Sequence, residues 1–339
     1  MEPIGGYFSL ELPKHEEYHK NAIRLNTGRN CLEYILRCKK YIKVYIPYYT
    51  CDVILEPFHK LDVNYEFYHI NQEFEIVDDI QLKVDEALLY TNYYGLKQRY
   101  VEHLAEQYGQ QLIVDNTQAF YDKPINGIDT FYTCRKFFGV PDGAYLYTDK
   151  QLDIELEEDE SYERCTSLLK RIDLGPEAGY GDFREISKSL VGQPIKKMSK
   201  LTHRMMQGID YTEVALQRKT NYIQLQKILN SSNCLNLPLE DDAVPMVYPY
   251  MISAQNLREQ LIANKIFIAR YWPNVLEWSK KDDFEYTLTL QTQHLPIDQR
   301  YGEMEMNNIL EIIKTSNIDA GNNSPTPRRG CLHICQMAQ

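Results

Sequence analysis

Apolar runs rich in tyrosine and β-branched residues recur through the first half of the chain: "YIKVYIPYY" at 41–49, "VNYEFYHI" at 63–70, "EALLYTNYYG" at 86–95 and "QLIVDNT" at 111–117. Short runs of this composition, bounded by polar and turn-forming residues, predict strands. Between them, "CDVILEPFHKL" and "YVEHLAEQYG" space their apolar residues by three and four, as a helix covering a sheet requires. This alternation predicts an α/β fold with a mostly parallel central sheet, right-handed crossovers and helices on both faces.

The character changes after "GAYLYTD" at 143–149. The span "LDIELEEDESYER" is acidic and solvated, and "SLLKRID", "YGDFREISKSL" and the stretch from Met198 to Asn230 read as helices, the last broken near Gly208. Beyond about residue 240, "VPMVYPYMI" and "KIFIARYW" read as strands flanking the helix "AQNLREQLIANK", and "YGEMEMNNILEIIKTS" as a terminal helix. The expected organisation is a large α/β domain over 1–210, a small α+β domain over 211–317 and a flexible tail over 318–339.

Composition narrows the function classes. A net charge of −11 opposes nonspecific nucleic-acid binding, which needs clustered Lys and Arg to displace counterions. No apolar run reaches the roughly 20 residues that span a bilayer, and "MEPIGGYFSLELPKHEE" lacks the features of a signal peptide. A cytoplasmic protein with no membrane or nucleic-acid partner is expected. Its eight cysteines lack the spacing of a disulfide framework. Cys331, His333 and Cys335 crowd three potential metal ligands into five residues, but no second cluster completes a site and the preceding "DAGNNSPTPRRG" reads as tail, so no metal is expected.

In an open α/β sheet, ligands bind beyond the carboxyl ends of the parallel strands. The residues closing the predicted strands are Pro47-Tyr48-Tyr49-Thr50, Thr91-Asn92-Tyr93 and Asp115-Asn116-Thr117-Gln118, with Thr133 and Lys136 after "DTFYT". An acid, an amide, phenols and a lysine thus meet at one crevice. Thr27, Gly28 and Arg29 lead straight into a predicted helix, whose free N–H groups suit a phosphate. A lysine for a Schiff base, an acid for a pyridine nitrogen and an anion cradle are the parts that pyridoxal 5′-phosphate requires.

The order of these segments resembles the DegT/StrS family of pyridoxal-phosphate-dependent sugar aminotransferases over most of residues 1–315. The family's phosphate loop is similar to Thr27-Gly28-Arg29-Asn30-Cys31-Leu32, and its Pro-x-x-Thr segment to Pro47-Tyr48-Tyr49-Thr50. Its acidic strand end is similar to Asp115-Asn116-Thr117-Gln118-Ala119, and its lysine with the following glycine-rich turn to Lys136 and Pro141-Asp142-Gly143-Ala144. The resemblance implies the aspartate-aminotransferase-like fold type I, a homodimer with active sites near its interface, and transfer of an amino group from an amino acid such as glutamate to a keto-sugar, nucleotide-linked, in polysaccharide or secondary-metabolite biosynthesis. It assigns Lys136 to the cofactor aldehyde, Asp115 to the pyridine nitrogen, where the ring's charge would keep it ionised, and Gln118 to a further contact. Because a family branch with histidine in place of the lysine performs dehydration, a retained Lys136 implies transamination.

Several positions depart from the pattern. Cys51 stands where an aromatic stacks on the ring, which leaves Tyr49 or Tyr93 for that task. Phe131 replaces the usual serine five residues before the lysine, and Thr133 becomes the candidate phosphate hydroxyl. The family's Asn-Tyr-Arg-Met segment, which reaches the partner's cofactor, is replaced by "GQPIKKMSKLTHRMM", with Gln193 or Ser199 as stand-ins. Arg270, Tyr271 and Arg300 are the candidate substrate residues, a guanidinium being suited to bind a donor carboxylate bidentately; His294 is expected to be structural, and "GGYFSLEL" to approach the site. Two other readings stand beside this one: a noncatalytic protein that keeps the fold, and a Rossmann oxidoreductase, which the absence of G-x-G-x-x-G opposes.

Overall fold

The computed structural model describes residues 4–253 and 256–321. Its main sheet has seven strands: β1 (Ile23–Leu25), β2 (Lys43–Pro47), β3 (Asn64–Tyr68), β4 (Glu86–Thr91), β5 (Leu112–Asp115), β6 (Asp129–Thr133) and β7 (Ala144–Tyr147), in the order β1-β7-β6-β5-β4-β2-β3. From β3 through β6 the neighbours are parallel; β7 and β1 are antiparallel additions at one edge. The helices α1 (Gly28–Lys39), α2 (Leu55–Leu61) and α3 (Gln98–Tyr108) fall between strands, as the apolar spacing predicts.

Every residue of β4 is buried, and alternate side chains enter different cores. Ala87 and Leu89 pack with Leu32, Ile35 and Leu36 of α1, whereas Leu88 and Tyr90 join the larger core on the opposite face. A strand apolar throughout rather than alternating is what a parallel sheet covered on both faces demands. The chain runs from β2 outward to β3, then returns to place β4 on the other side of β2. That reversal opens a crevice at the carboxyl ends of β2 and β4, where such sheets bind ligands.

The second half packs against this sheet. The acidic span is largely irregular, followed by α4 (Thr166–Leu174), α5 (Pro176–Ser189), α6 (Lys200–Met206) and α7 (Tyr211–Leu229). The expected break near Gly208 lies between α6 and α7, where Asp210 caps α7 by accepting from the N–H groups of Thr212 and Glu213. A two-stranded sheet pairs β8 (Val247–Met251) antiparallel with β9 (Thr292–Pro296), and around it lie α8 (Leu257–Ala263), α9 (Val275–Trp278), α10 (Phe284–Gln291) and α11 (Glu303–Gly321). Here the pattern misled: "KIFIARYW" forms no strand, and the partner of β8 is the polar "TQHLP". A strand is made by a partner for its backbone, and burial at this site goes to polar side chains that the apolar criterion overlooks. The segment Cys331–Cys335 and most of the expected tail lie outside the described residues.

Candidate active site

Asp115 ends β5 deep in the sheet, its register partners being Thr91 on β4 and Phe131 on β6. The chain then turns sharply: Asn116 N–H donates to Phe131 O at 2.8 Å, and Thr117 N–H donates to Asp115 Oδ1 at 2.8 Å. Lys136 enters from the turn after β6 and donates its Nζ proton to Thr117 Oγ1 at 2.8 Å. The acid and the amine are therefore joined through Thr117, whose backbone serves one and whose hydroxyl serves the other.

These residues line a cavity of about 230 Å³. The start of α1 joins them, with Thr27, Gly28 and Arg29 forming part of the wall. Thr27 caps the helix, its hydroxyl accepting from Asn30 N–H at 3.2 Å. A Cβ at Gly28 would lie 3.5 Å from the Thr117 methyl group and 3.9 Å from the Phe131 ring, so glycine at this position keeps the helix end open toward the strand ends. Thr133 also lines the cavity, with its hydroxyl 3.5 Å from Gly143 O. Gly143 needs its lack of side chain: its φ is +100° and a Cβ would fall 2.8 Å from the Thr202 methyl. The Pro-Asp-Gly turn thereby docks on α6, with buried Asp142 accepting from Ser161, Arg164 and Thr202.

Burial sets the electrostatics. Lys136 is exposed by accessible surface and borders the open cavity; the protein packed around it still desolvates the amine and lowers its pKa, and the charge of Asp115 opposes the shift. Desolvation raises the Asp115 carboxyl, against the pull of Lys136 and the Thr117 hydrogen bonds. The expectation of a firmly ionised Asp115 thus depends on a cation placed against it, which the bare protein supplies only partly. Arg135, also in the wall, is lowered by burial and bonds Ser187 Oγ at 3.1 Å.

Several expected site residues lie elsewhere. Tyr49 and Tyr93 are fully buried behind the wall: the Tyr93 hydroxyl donates to Tyr49 O at 3.0 Å, and the Tyr49 hydroxyl meets that of Tyr94 at 3.1 Å. Neither tyrosine lines the cavity; the aromatics that do are Phe131 and Trp272, the Trp272 ring centroid lying 5.0 Å from that of Tyr49. Asn92 is turned into the protein, where it donates to Asp122 Oδ2 at 2.7 Å. These shifts have one cause: past a strand end the two-residue alternation stops, and side-chain direction follows the turn rather than the pleat. Arg270 is half-buried outside the wall, and Tyr271 packs on His294 with centroids 4.2 Å apart. Arg300 folds back on Asp298, Nε to Oδ1 at 2.6 Å and Nη2 to Oδ2 at 2.9 Å, away from this cavity. Ser199 is the buried cap of α6, and Gln193 bonds Ser189 O. Tyr7 and Phe8 of "GGYFSLEL" are 98% and 93% exposed, and that segment forms no part of the wall. His294 is structural as expected: Nε2 meets the Tyr94 hydroxyl at 3.1 Å and Nδ1 meets Ala269 O at 3.2 Å, and burial pushes its pKa down to about 3.

The sequence pointed past two wall residues. Trp272 was hidden because it arrives from "ARYWPNV", far along the chain and outside any strand; Asn274 Nδ2 ties that segment to Thr50 O at 2.9 Å. Thr117 was within reach, being the polar residue that follows the acid by two.

A cofactor with a pyridine ring, an aldehyde and a phosphate fits this donor set. Gln118 accepts from Tyr94 N–H at 2.9 Å through Oε1, but its buried Nε2 finds no partner among the described residues, nor does buried Thr91 Oγ1, and both residues line the cavity. Unsatisfied buried donors beside a cavity call for an occupant.

The arrangement is the aspartate-aminotransferase-like α/β architecture of fold type I, and many solved structures share it. Among them are a DegT DnrJ EryC1 StrS aminotransferase from Brucella abortus (13% identity, TM-score 0.59, covering 87% of this chain and 85% of that one) and the sugar aminotransferase CalS13 from Micromonospora echinospora (12%, 0.55, 87% of each). NtdA from Bacillus subtilis, solved with bound cofactor PMP, is similar over 86% of this chain and 73% of its own (13%, 0.57). No family model matches the sequence, and no curated protein matches it either.

Proposed function

We infer that the protein is a pyridoxal-phosphate-dependent aminotransferase of the DegT/StrS type, acting on a keto-sugar. The observation that carries this reading is the line Asp115–Thr117–Lys136 in the wall of a cavity that a capped helix start also lines. The fold shared with CalS13 and NtdA supports it. When bound, the cofactor supplies an electron sink for the α-carbon of an amino acid.

The chain's own residues have these tasks. The N–H groups of Gly28 and Arg29, with Thr27, Thr133 and the positive end of α1, bind the phosphate. Asp115 would pair as a carboxylate with the protonated pyridine nitrogen, whose charge would offset the cost of burying it. Lys136 Nζ, of lowered pKa, would hold the aldehyde as an amine nucleophile and would be the base within reach of the donor's α-proton. Thr117 orients that amine. Trp272 covers the cavity and excludes water. Glutamate as donor, a nucleotide-linked sugar as acceptor, a homodimer, a cytoplasmic location, a role in polysaccharide or secondary-metabolite biosynthesis, and the large and small domains divided near residue 210 complete the proposal.

A half-reaction tests it. Protein loaded with pyridoxal phosphate and given L-glutamate, without any keto acceptor, is expected to release one equivalent of 2-oxoglutarate. Release of no keto acid from any of the common amino acids would contradict aminotransferase activity.

A further inference from the structure

Lys136 borders two cavities, not one. Arg135 and Lys136 are common to the wall of the cofactor cavity and to that of a second cavity, of about 420 Å³, reached from the α4–α5 side. The second wall carries five cationic side chains, Arg135, Lys136, Arg171, Arg218 and Arg300, and one carboxylate, Asp298. In a chain of net charge −11 this is a marked local reversal. The one acid is already engaged by Arg300 through two hydrogen bonds.

The other arginines bond only neutral groups. Arg218, on α7 and 1% exposed, donates to Phe137 O, Met246 O, Pro245 O and the Gln299 side chain, and its guanidinium lies 4.6 Å from the centre of the Phe137 ring. Arg135 bonds Ser187 and lies over Phe183 at 5.5 Å, and exposed Arg171 reaches the Tyr301 hydroxyl at 3.5 Å. Asp298 lies near enough to favour the Arg218 charge but makes no hydrogen bond to it; a guanidinium held by neutral hydrogen bonds alone gains charge-assisted ones when an anion is brought between these groups. Guanidinium forks match planar carboxylates and phosphates in pairs of hydrogen bonds.

We propose that this second cavity is the substrate oxyanion site: Arg135, Arg171 and Arg218 hold a carboxylate or phosphate of the substrate so that its reacting carbon faces Lys136 from the side opposite Asp115. This rests on the aminotransferase reading for the identity of the reaction, but not for the binding of the anion. The site gives Lys136 one neighbour cavity for the cofactor and another for what reacts with it. Arg218 is buried and Arg135 half-buried in this wall, and exposed Arg171 draws the anion in.

The test is calorimetric titration of the full-length protein, as purified and at low salt, with two unreactive probes: glutarate for a dicarboxylic amino donor and inorganic pyrophosphate for a phosphorylated acceptor. At least one is expected to bind with one-to-one stoichiometry and to weaken as salt is raised. Arg171→Gln and Arg218→Met, both outside the cofactor cavity, are expected to weaken that probe by about tenfold each, the scale of one charge-assisted hydrogen bond. Whichever probe responds identifies the source of the anion. Binding of neither probe, or equal binding by wild type and Arg171→Gln, would overturn the proposal; Arg171 is exposed, so that variant decides the matter even where Arg218→Met does not fold. The absorption of lysine-bound cofactor, read on the same samples, separates the two claims: anion binding without that band removes the aminotransferase reading and leaves the oxyanion site, and the band without anion binding does the reverse.

Discussion

Two regions meet at the cofactor cavity and hold their residues in different ways. On one side the carboxyl ends of β4, β5 and β6 place Thr91, Asp115 and Thr133 by the register of a parallel sheet buried on both faces. On the other, the segment from Ile266 to Asn274 has no strand partner, and side-chain contacts tie it across the fold: the Trp272 ring on Tyr49, Asn274 on Thr50, and His294 between Tyr94 and Ala269. A residue held by a sheet can be changed at little cost to its neighbours' positions. One held by a buried polar cluster loses its place when any member goes. Substitutions at the strand ends should therefore reduce turnover and spare stability, and those behind the loop should do the opposite.

The largest effect is expected at Lys136. Lys136→Ala should lower kcat by about 10⁴-fold, the scale of losing nucleophile and proton carrier together, with a melting temperature close to that of wild type because the side chain is exposed and makes one hydrogen bond, to Thr117. A steady-state assay beside a thermal melt checks both halves. Asp115→Ala comes next, at about a hundredfold in kcat, the scale of one preorganised electrostatic contact; cofactor affinity should fall with it, measured by equilibrium dialysis.

His294→Phe probes the other region. Deleting two buried hydrogen bonds leaves the Tyr94 hydroxyl and Ala269 O short of partners and should cost about 2 kcal/mol of stability, seen by denaturant unfolding, while kcat changes less than severalfold. The pH dependence follows from the same residue. His294 is held neutral down to about pH 3, below its ordinary 6.5. The unfolded chain therefore takes up a proton that the folded one refuses, and stability falls as pH drops from about 6.5 toward 3, by about 1 kcal/mol per unit from this group. In His294→Phe that slope should flatten.

The smallest effect is expected at Asp122, whose carboxyl burial raises to about 7 and which accepts from Asn92. A raised carboxyl favours the fold while protonated, and that contribution is lost as pH climbs from the ordinary value near 4 through 7. Asp122→Asn should raise the melting temperature above pH 7 and leave it nearly unchanged below about pH 4, where the carboxyl is protonated in both states. A drop in kcat as large as that of Asp115→Ala would break the distinction between the two regions.

The same contrast governs what could be read from the sequence. Strands β2 to β7 were legible as tyrosine-rich and β-branched runs, continuous and apolar where both faces are buried, as in β4 and β5, and Asp115 and Lys136 because polar residues stand out where such runs stop. Tyr49, Tyr93 and Asn92 were placed on the wrong side of the wall, since one turn past a strand end decides direction and composition does not record it. In the second half, "KIFIARYW" had the composition of a strand but not the partner, and β9 had the partner but not the composition. Trp272 comes to the cavity through contacts made across more than two hundred residues of chain, which no local pattern carries.

The most direct test of the central claim, that Lys136 is the amine on which the cofactor is held opposite Asp115, is borohydride reduction of the protein loaded with pyridoxal phosphate, followed by mass mapping of its peptides. The account predicts a single reduced adduct, on the peptide containing Lys136, and none in Lys136→Ala. An adduct on another lysine, or the same labelling in the variant, would contradict it.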